Sequence, residues 1–175
     1  MIFVTVGTHE QPFNRLVKEI DRLKENKTIN EDVFIQTGYS DYKPEFCMYS
    51  EFIKYSEMQE MVERARIVVT HGGPASIILV LSRGKVPLIV PRQKEHGEHV
   101  DDHQVRFCQK LEEKARIIAV YRIEDIAYKI KNYDTLTKDL KFREVEEEDP
   151  QKKVRKFARS LDEICLSLTR HIQKK

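Results

Sequence analysis

No stretch of the 175-residue sequence stays apolar for long. The longest clean run, residues 77–81, is soon followed by Arg83 and Lys85, whereas a bilayer-spanning helix needs roughly 20 apolar residues. A soluble chain is expected. Charge of one sign is lacking too: 31 Lys and Arg face 29 Asp and Glu, a formal net charge of +2. That balance argues against a nucleic-acid partner, because such binding rests on a strong positive field against the phosphate backbone. Cysteine is scarce. Cys47, Cys108 and Cys165 are odd in number, widely spread and without CxxC spacing. Neither a disulfide framework nor a zinc ribbon is expected, and a reducing cytoplasm fits best. Residues 1–7 show neither a basic leader nor a small-residue cleavage site, so no signal peptide is expected. Internal repeats and low-complexity tracts are absent.

What the sequence does contain is an alternation of two periodicities. A chain of this length forms one domain at roughly 100–200 residues per domain, and can bury about 70% of its unfolded surface. Residues 2–6 are a β-rich run closed by Gly7. Phe13, Leu16, Val17, Ile20 and Leu23 follow at helical spacings. Strands are predicted at 33–35 before Gly38 and within 46–53, and Met58, Met61, Val62 and Ala65 share one helical face. A buried strand at 66–70, an apolar helix at 74–83 and a strand at 86–90 come next. A helix at 101–114 and a strand at 116–120 complete the series. Strands alternating with helices predict parallel βαβ units, and the unbroken apolar run Ile67, Val68, Val69 suits a sheet covered on both faces. The fold class is therefore α/β, with a Rossmann-like domain over residues 1–130.

Residues 131–175 differ in composition. Residues 132–140 are polar, and an acidic run at 144–149 stops at Pro150. Residues 151–175 carry eight Lys and Arg against two Asp and Glu, a net +6 that leaves the other 150 residues at −4. Val154, Phe157, Leu161, Ile164, Leu168 and Ile172 form one stripe at helical spacing. An acidic linker and a basic amphipathic helix are expected. That helix either packs on its own domain or docks on a partner chain or an anionic membrane face.

In an open parallel sheet, ligands bind beyond the carboxyl ends of the strands. Three segments are predicted to lie there. Gly7, Thr8 and His9 follow the first strand, where Gly7 permits a turn and Thr8 offers a hydroxyl. Thr70-His71-Gly72-Gly73-Pro74-Ala75-Ser76 follows a buried strand, and Pro74 suits the first turn of a helix. Free amides at that helix start make an anion site fit for a diphosphate, although glycines before a helix are also ordinary turn residues. The third segment, residues 91–104, is dense in polar groups: Arg92, His96, Glu98, His99, Asp102, His103 and Gln104. A sugar-nucleotide contact surface, a solvated loop, and a metal site built from His96, His99, His103 and a carboxylate are the three accounts of it. The HExxH order is absent, which argues against the last.

Three runs, IFVTVGTHEQPFNRLVKEID, VVTHGGPAS and VPRQKEHGEHVDDHQ, resemble the glycosyltransferase family 28 C-terminal domain over residues 1 to about 125. More narrowly, they are similar to PssE-type galactosyltransferase subunits of exopolysaccharide and capsule synthesis. Those in turn are similar to the catalytic subunit of the two-chain dolichol-pathway UDP-GlcNAc transferase. The resemblance implies the donor-binding half of a GT-B enzyme, with the acceptor half on another chain.

By that resemblance Gly7 and Thr8 match the glycine loop at the donor diphosphate, and residues 52–56 match the loop that reads uracil. His71, Gly72, Gly73 and Ser76 match the phosphate turn, and His103 and Gln104 the pair that touches the donor sugar and phosphates. Relatives carry a ribose-binding carboxylate five residues before the equivalent of Gly84. Here that residue is Leu79, so Glu98 or Asp102 would have to replace it, or ribose is held differently. The implied reaction is an inverting transfer of a hexose, galactose in a β-1,4 linkage foremost, from a UDP-sugar to a lipid-diphosphate-linked sugar. Thr8, Ser76, Arg92 and helix-start amides would stabilise the leaving UDP, and no metal cofactor is expected. His9 is the candidate general base, unless the partner chain supplies it. The implied partner is a membrane-anchored acceptor-half subunit that recruits this cytoplasmic chain to the inner membrane face. A non-catalytic accessory subunit that binds nucleotide-sugar, and a metal-dependent hydrolase, are the alternatives.

Overall fold

The computed structural model describes residues 1–114 and 116–142. Six strands, β1 (Ile2–Thr5), β2 (Val33–Gln36), β3 (Met48–Ser50), β4 (Ile67–His71), β5 (Leu88–Val90) and β6 (Ile118–Ala119), form one sheet. Every pairing is parallel, and the order is β3-β2-β1-β4-β5-β6. Helices α1 (Asn14–Glu25), α2 (Tyr55–Arg64), α3 (Pro74–Ser82), α4 (His103–Glu113), α5 (Ile126–Lys131) and α6 (Tyr133–Phe142) connect or follow the strands. This is the expected Rossmann-like α/β fold.

The strand alternation explains the layers. Ile2, Val4 and Val6 point to one face of the sheet, where they meet Leu16, Val17 and Ile20 of α1, together with Ile126, Ile130 and Tyr133. Phe3 and Val68 point to the other face and pack with Val62, Ala65 and Val80. Because both faces are covered, neither β1 nor β4 has a solvent side to mark with polar residues. Each large side chain buried this way contributes roughly 1.5–3 kcal/mol.

β1 is central, with Ile2 opposite both Val33 of β2 and Ile67 of β4. From β1 the chain steps outward to β2 and β3, then returns across β1 to β4. The strand order therefore reverses between β1 and β4, which opens a crevice above their carboxyl ends.

Two departures from the sequence expectations have physical causes. Helix α4 starts at His103 rather than 101, because the preceding segment is tied into a loop. A 3-10 turn at Lys94–His96 is closed by Gly97 in the left-handed region, and Asp102 accepts the Lys94 amide. Residues 133–142, expected from their polarity to be a linker, form α6. The Tyr133 hydroxyl donates to the Val86 carbonyl at 2.5 Å, while Leu136 and Leu140 pack against the core. Three apolar residues at spacings of three and four suffice to anchor it. One compact unit spans Met1–Leu140. The acidic run at 144–149 and the striped segment 151–175 lie outside the described residues. No helix among the described residues is long and apolar enough to cross a membrane.

Candidate active site

The first strand ends in a turn that a polar neighbour holds open. Gly7 has φ +76°, a backbone that favours glycine. The Gln36 side chain reaches it from β2: its Oε1 accepts the Gly7 amide at 3.2 Å, and its Nε2 donates to the Gly7 carbonyl at 3.0 Å. Gln36 also takes the Thr5 hydroxyl at 2.6 Å. Thr8 is left exposed at the rim, with His9 half-buried beside it. Sequence reasoning missed Gln36. Its only signal was a long polar side chain ending a buried strand.

His71, the last residue of β4, is wedged between two glycines. A Cβ added to Gly7 would lie 2.5 Å from His71 Nε2, and one on Gly73 would lie 2.2 Å from its Cε1. The Gly73 amide donates to His71 Nδ1 at 3.0 Å, so that nitrogen is unprotonated. In the neutral ring the proton then sits on Nε2, which donates to Ser76 Oγ at 3.1 Å. Burial, with Arg92, His9 and His99 nearby, pushes the His71 imidazolium down to about 3. His71 is therefore neutral at pH 7, and the Ser76 hydroxyl keeps its own proton free to donate outward.

The helix start is less open than the glycine pattern suggested. Gly72 donates to Gln104 Oε1 at 3.0 Å, and Gly73 is taken by His71. Pro74 has no amide proton. Among the described residues the amides of Ala75 and Ser76 have no protein partner, so these two form the anion-facing end of α3.

Three expected ligand residues have protein partners: Arg92 and Glu98 through their charged groups, and Gln104 through its side-chain oxygen. Arg92 is fully buried (0% exposed). Its guanidinium donates to the carbonyls of Gln11 at 2.7 Å, Glu98 at 3.1 Å and Val6 at 2.9 Å, and lies 4.8 Å over the Phe13 ring. Burial pulls its pKa down to about 10, against the pull of Glu98. No donor of Arg92 reaches the crevice, so it cannot stabilise a leaving phosphate directly. Glu98, 3% exposed, pairs with Arg15 through both oxygens at 2.9 Å and accepts the Gln93 amide. It is not available to replace the missing ribose carboxylate. Gln104 spends its side-chain oxygen on the amides of Gly72 and Arg92, clasping β4 to the β5 loop. Leu79, where the resemblance leads one to expect a carboxylate, packs against the cluster of Phe3, Val62, Ala65, Val68 and Val80.

His9, His99 and His103 form a row at the crevice wall. The His9 and His99 rings stack at 4.6 Å and 13°, and the His99 and His103 rings meet edge to face at 4.4 Å. His9 Nε2 lies 2.9 Å from Gln11 Oε1. Asp101 Oδ1 is 2.5 Å from His103 Nδ1 and 3.5 Å from His99 Nδ1. His96 stands apart, exposed and 3.7 Å from Glu95. Asp102 is half-buried, with one oxygen on the Lys94 amide. Of the expected loop 52–56, Phe52 and Tyr55 are exposed, Tyr55 as the first residue of α2, and Phe52 packs edge-on to Tyr39 at 5.1 Å.

Residues 1–163 match the glycosyltransferase family 28 C-terminal domain. The chain belongs to that family. No curated protein matches it. The glycosyltransferase SnogD from Streptomyces nogalater is similar in structure, with a TM-score of 0.47 and 14% identity over 90% of this chain and 42% of that one. The chain thus spans less than half the length of that enzyme. Membership of family 28 gives the Gly7 and His71–Ser76 turns a glycosyltransferase context, and their meeting point is the switch point of the family 28 domain.

Proposed function

We propose that this family 28 domain is the donor-binding half of an inverting hexosyltransferase that takes its sugar from a UDP-sugar. One observation carries the reading: two glycine turns converge on His71 where the strand order reverses, beside two unpartnered amides and an outward-donating hydroxyl. Such a cradle suits a diphosphate, because preorganised donors stabilise the charge that develops as UDP leaves. Ala75, Ser76 and Thr8 provide the donors, and Arg92 serves only by holding the Gly7 and Glu98 loops in place. His9, at the rim of the Gly7 turn, is the proposed base for the acceptor hydroxyl unless the partner provides it. The donor is UDP-galactose and the acceptor a lipid-diphosphate-linked sugar of exopolysaccharide or capsule synthesis. A membrane-anchored subunit supplies the acceptor half, in the manner of PssE-type pairs, and brings this chain to the inner membrane face. Metal is not required for the transfer in this reading.

Calorimetric titration of the full chain with UDP tests the donor half. Ser76→Ala is expected to weaken binding about tenfold, as befits a hydrogen bond to a charged group. Equal affinity in wild type and Ser76→Ala, or no UDP binding at all, would end the reading. For the reaction itself, His9→Ala should lower transfer from UDP-galactose by roughly 10²–10⁴-fold when the acceptor subunit is present, with UDP affinity unchanged. Full turnover by that variant assigns the base to the partner.

A further inference from the structure

One cluster on the crevice wall places two imidazoles and a carboxylate close together, apart from the donors of the diphosphate cradle. We propose that His99, Asp101 and His103 bind a divalent transition-metal ion of the zinc class. One ligand atom from each residue lies within 4.8 Å of the other two. Around a tetrahedral ion with bonds of about 2.0–2.1 Å, donors stand roughly 3.4 Å apart, so a small closure of the three side chains suffices. Zinc-class ions favour this donor set of two imidazoles and one carboxylate, whereas magnesium and calcium favour all-oxygen shells.

The three residues stand at i, i+2 and i+4 across the junction into α4, which limits their freedom. His103 opens the helix and donates its amide to Asp101 Oδ1 at 3.0 Å. The His99 side chain is only 13% exposed and is held between the rings of His9 and His103. His103 and Asp101 are 40% and 48% exposed, so an ion can reach them from solvent. Binding would exchange the hydrogen bond between Asp101 and His103 for two bonds to the ion. Three protein ligands leave a fourth position for water or an oxyanion. The buried charge of Arg92 opposes a cation here, and the Asp101 carboxylate offsets it. His96, which the disfavoured metal account of the sequence included, is outside the cluster.

The proposal does not depend on the UDP reading, and its test measures the ion alone. The full chain is titrated with Co²⁺, followed by visible absorption, and with Zn²⁺ by calorimetry at neutral pH. One ion per chain is expected, while Mg²⁺ does not bind. Asp101→Asn and His103→Ala should each weaken binding at least about tenfold, and His96→Gln should leave it unchanged. Circular dichroism checks each fold. If His103→Ala does not fold, Asp101→Asn, which keeps the side-chain size, decides. No binding at micromolar Zn²⁺, binding unaffected by Asp101→Asn, or binding lost in His96→Gln overturns the proposal. Survival in Asp101→Asn would place the ion elsewhere. UDP affinity measured on the same variants separates failure of this site from failure of the donor cradle.

Discussion

The His71 ring occupies space that only glycine can leave for it on either side, and this makes a steric prediction. Gly73→Ala forces a methyl to within 2.2 Å of the ring and is expected to cost about 1–3 kcal/mol in urea denaturation. In a His71→Ala background the same substitution should cost clearly less, because the clash is gone; equal costs in both backgrounds would contradict the wedge. The depressed His71 pKa also couples to stability. The unfolded chain protonates this residue near its ordinary value of 6.5, whereas the folded chain resists until about 3. The unfolded state therefore binds more protons in that window, and stability is full above pH 6.5 and falls as pH drops toward 3. His71→Asn, measured by denaturation between pH 7 and 4, should flatten that slope. The residue pattern HGG was legible in the sequence, but the tautomer was not, since it depends on which amide faces which ring nitrogen.

Between β5 and α4, twelve residues owe their shape to one buried ion pair more than to local propensity. Arg15 of α1 crosses to Glu98, and Glu98 in turn holds the Gln93 amide while its carbonyl accepts from Arg92. Glu98→Ala leaves a buried guanidinium without its anion and should destabilise the chain by roughly 3–5 kcal/mol, whereas Glu98→Gln, which keeps acceptor and donor atoms, should cost less. Thermal or urea unfolding of the two variants checks the ranking; a near-neutral Glu98→Ala would mean the loop is held by the Arg92 contacts alone. Of the polar residues in 91–104 the sequence reading singles out seven, and its favoured account sets six of them, all but His96, against the ligand. Polarity shows that partners are needed, not whether a partner is substrate or protein. Arg92, Glu98 and Gln104 found protein partners across 81, 83 and 32 positions of sequence, distances that no local pattern encodes.

For the molecule as a whole, the compact unit ends at Leu140, and for the basic stripe of residues 151–175 we propose, of the two expected roles, docking on the acceptor subunit. If that role holds, a chain truncated after residue 150 is expected to unfold cooperatively within about 0.5 kcal/mol of the full chain. It should also lose co-purification with a co-expressed acceptor subunit. A loss of several kcal/mol would assign the stripe to this chain's own core instead, and retained co-purification would remove the docking role.

Periodicity alone determined the alternation of strands and helices, and with it a parallel sheet covered on both faces, because burial on two sides leaves strands no polar register to show. It also placed Gly7 and the His71–Ser76 turn at strand ends, since glycine and proline constrain the backbone locally. Only the tertiary structure decided the strand order that brings those two turns together. The same long-range pairing ties the Gly72 amide to Gln104 and places Arg92 and Glu98 in the framework. Those outcomes rest on hydrogen bonds between segments far apart in the chain, and their energies depend on geometry that exists only after the sheet has formed.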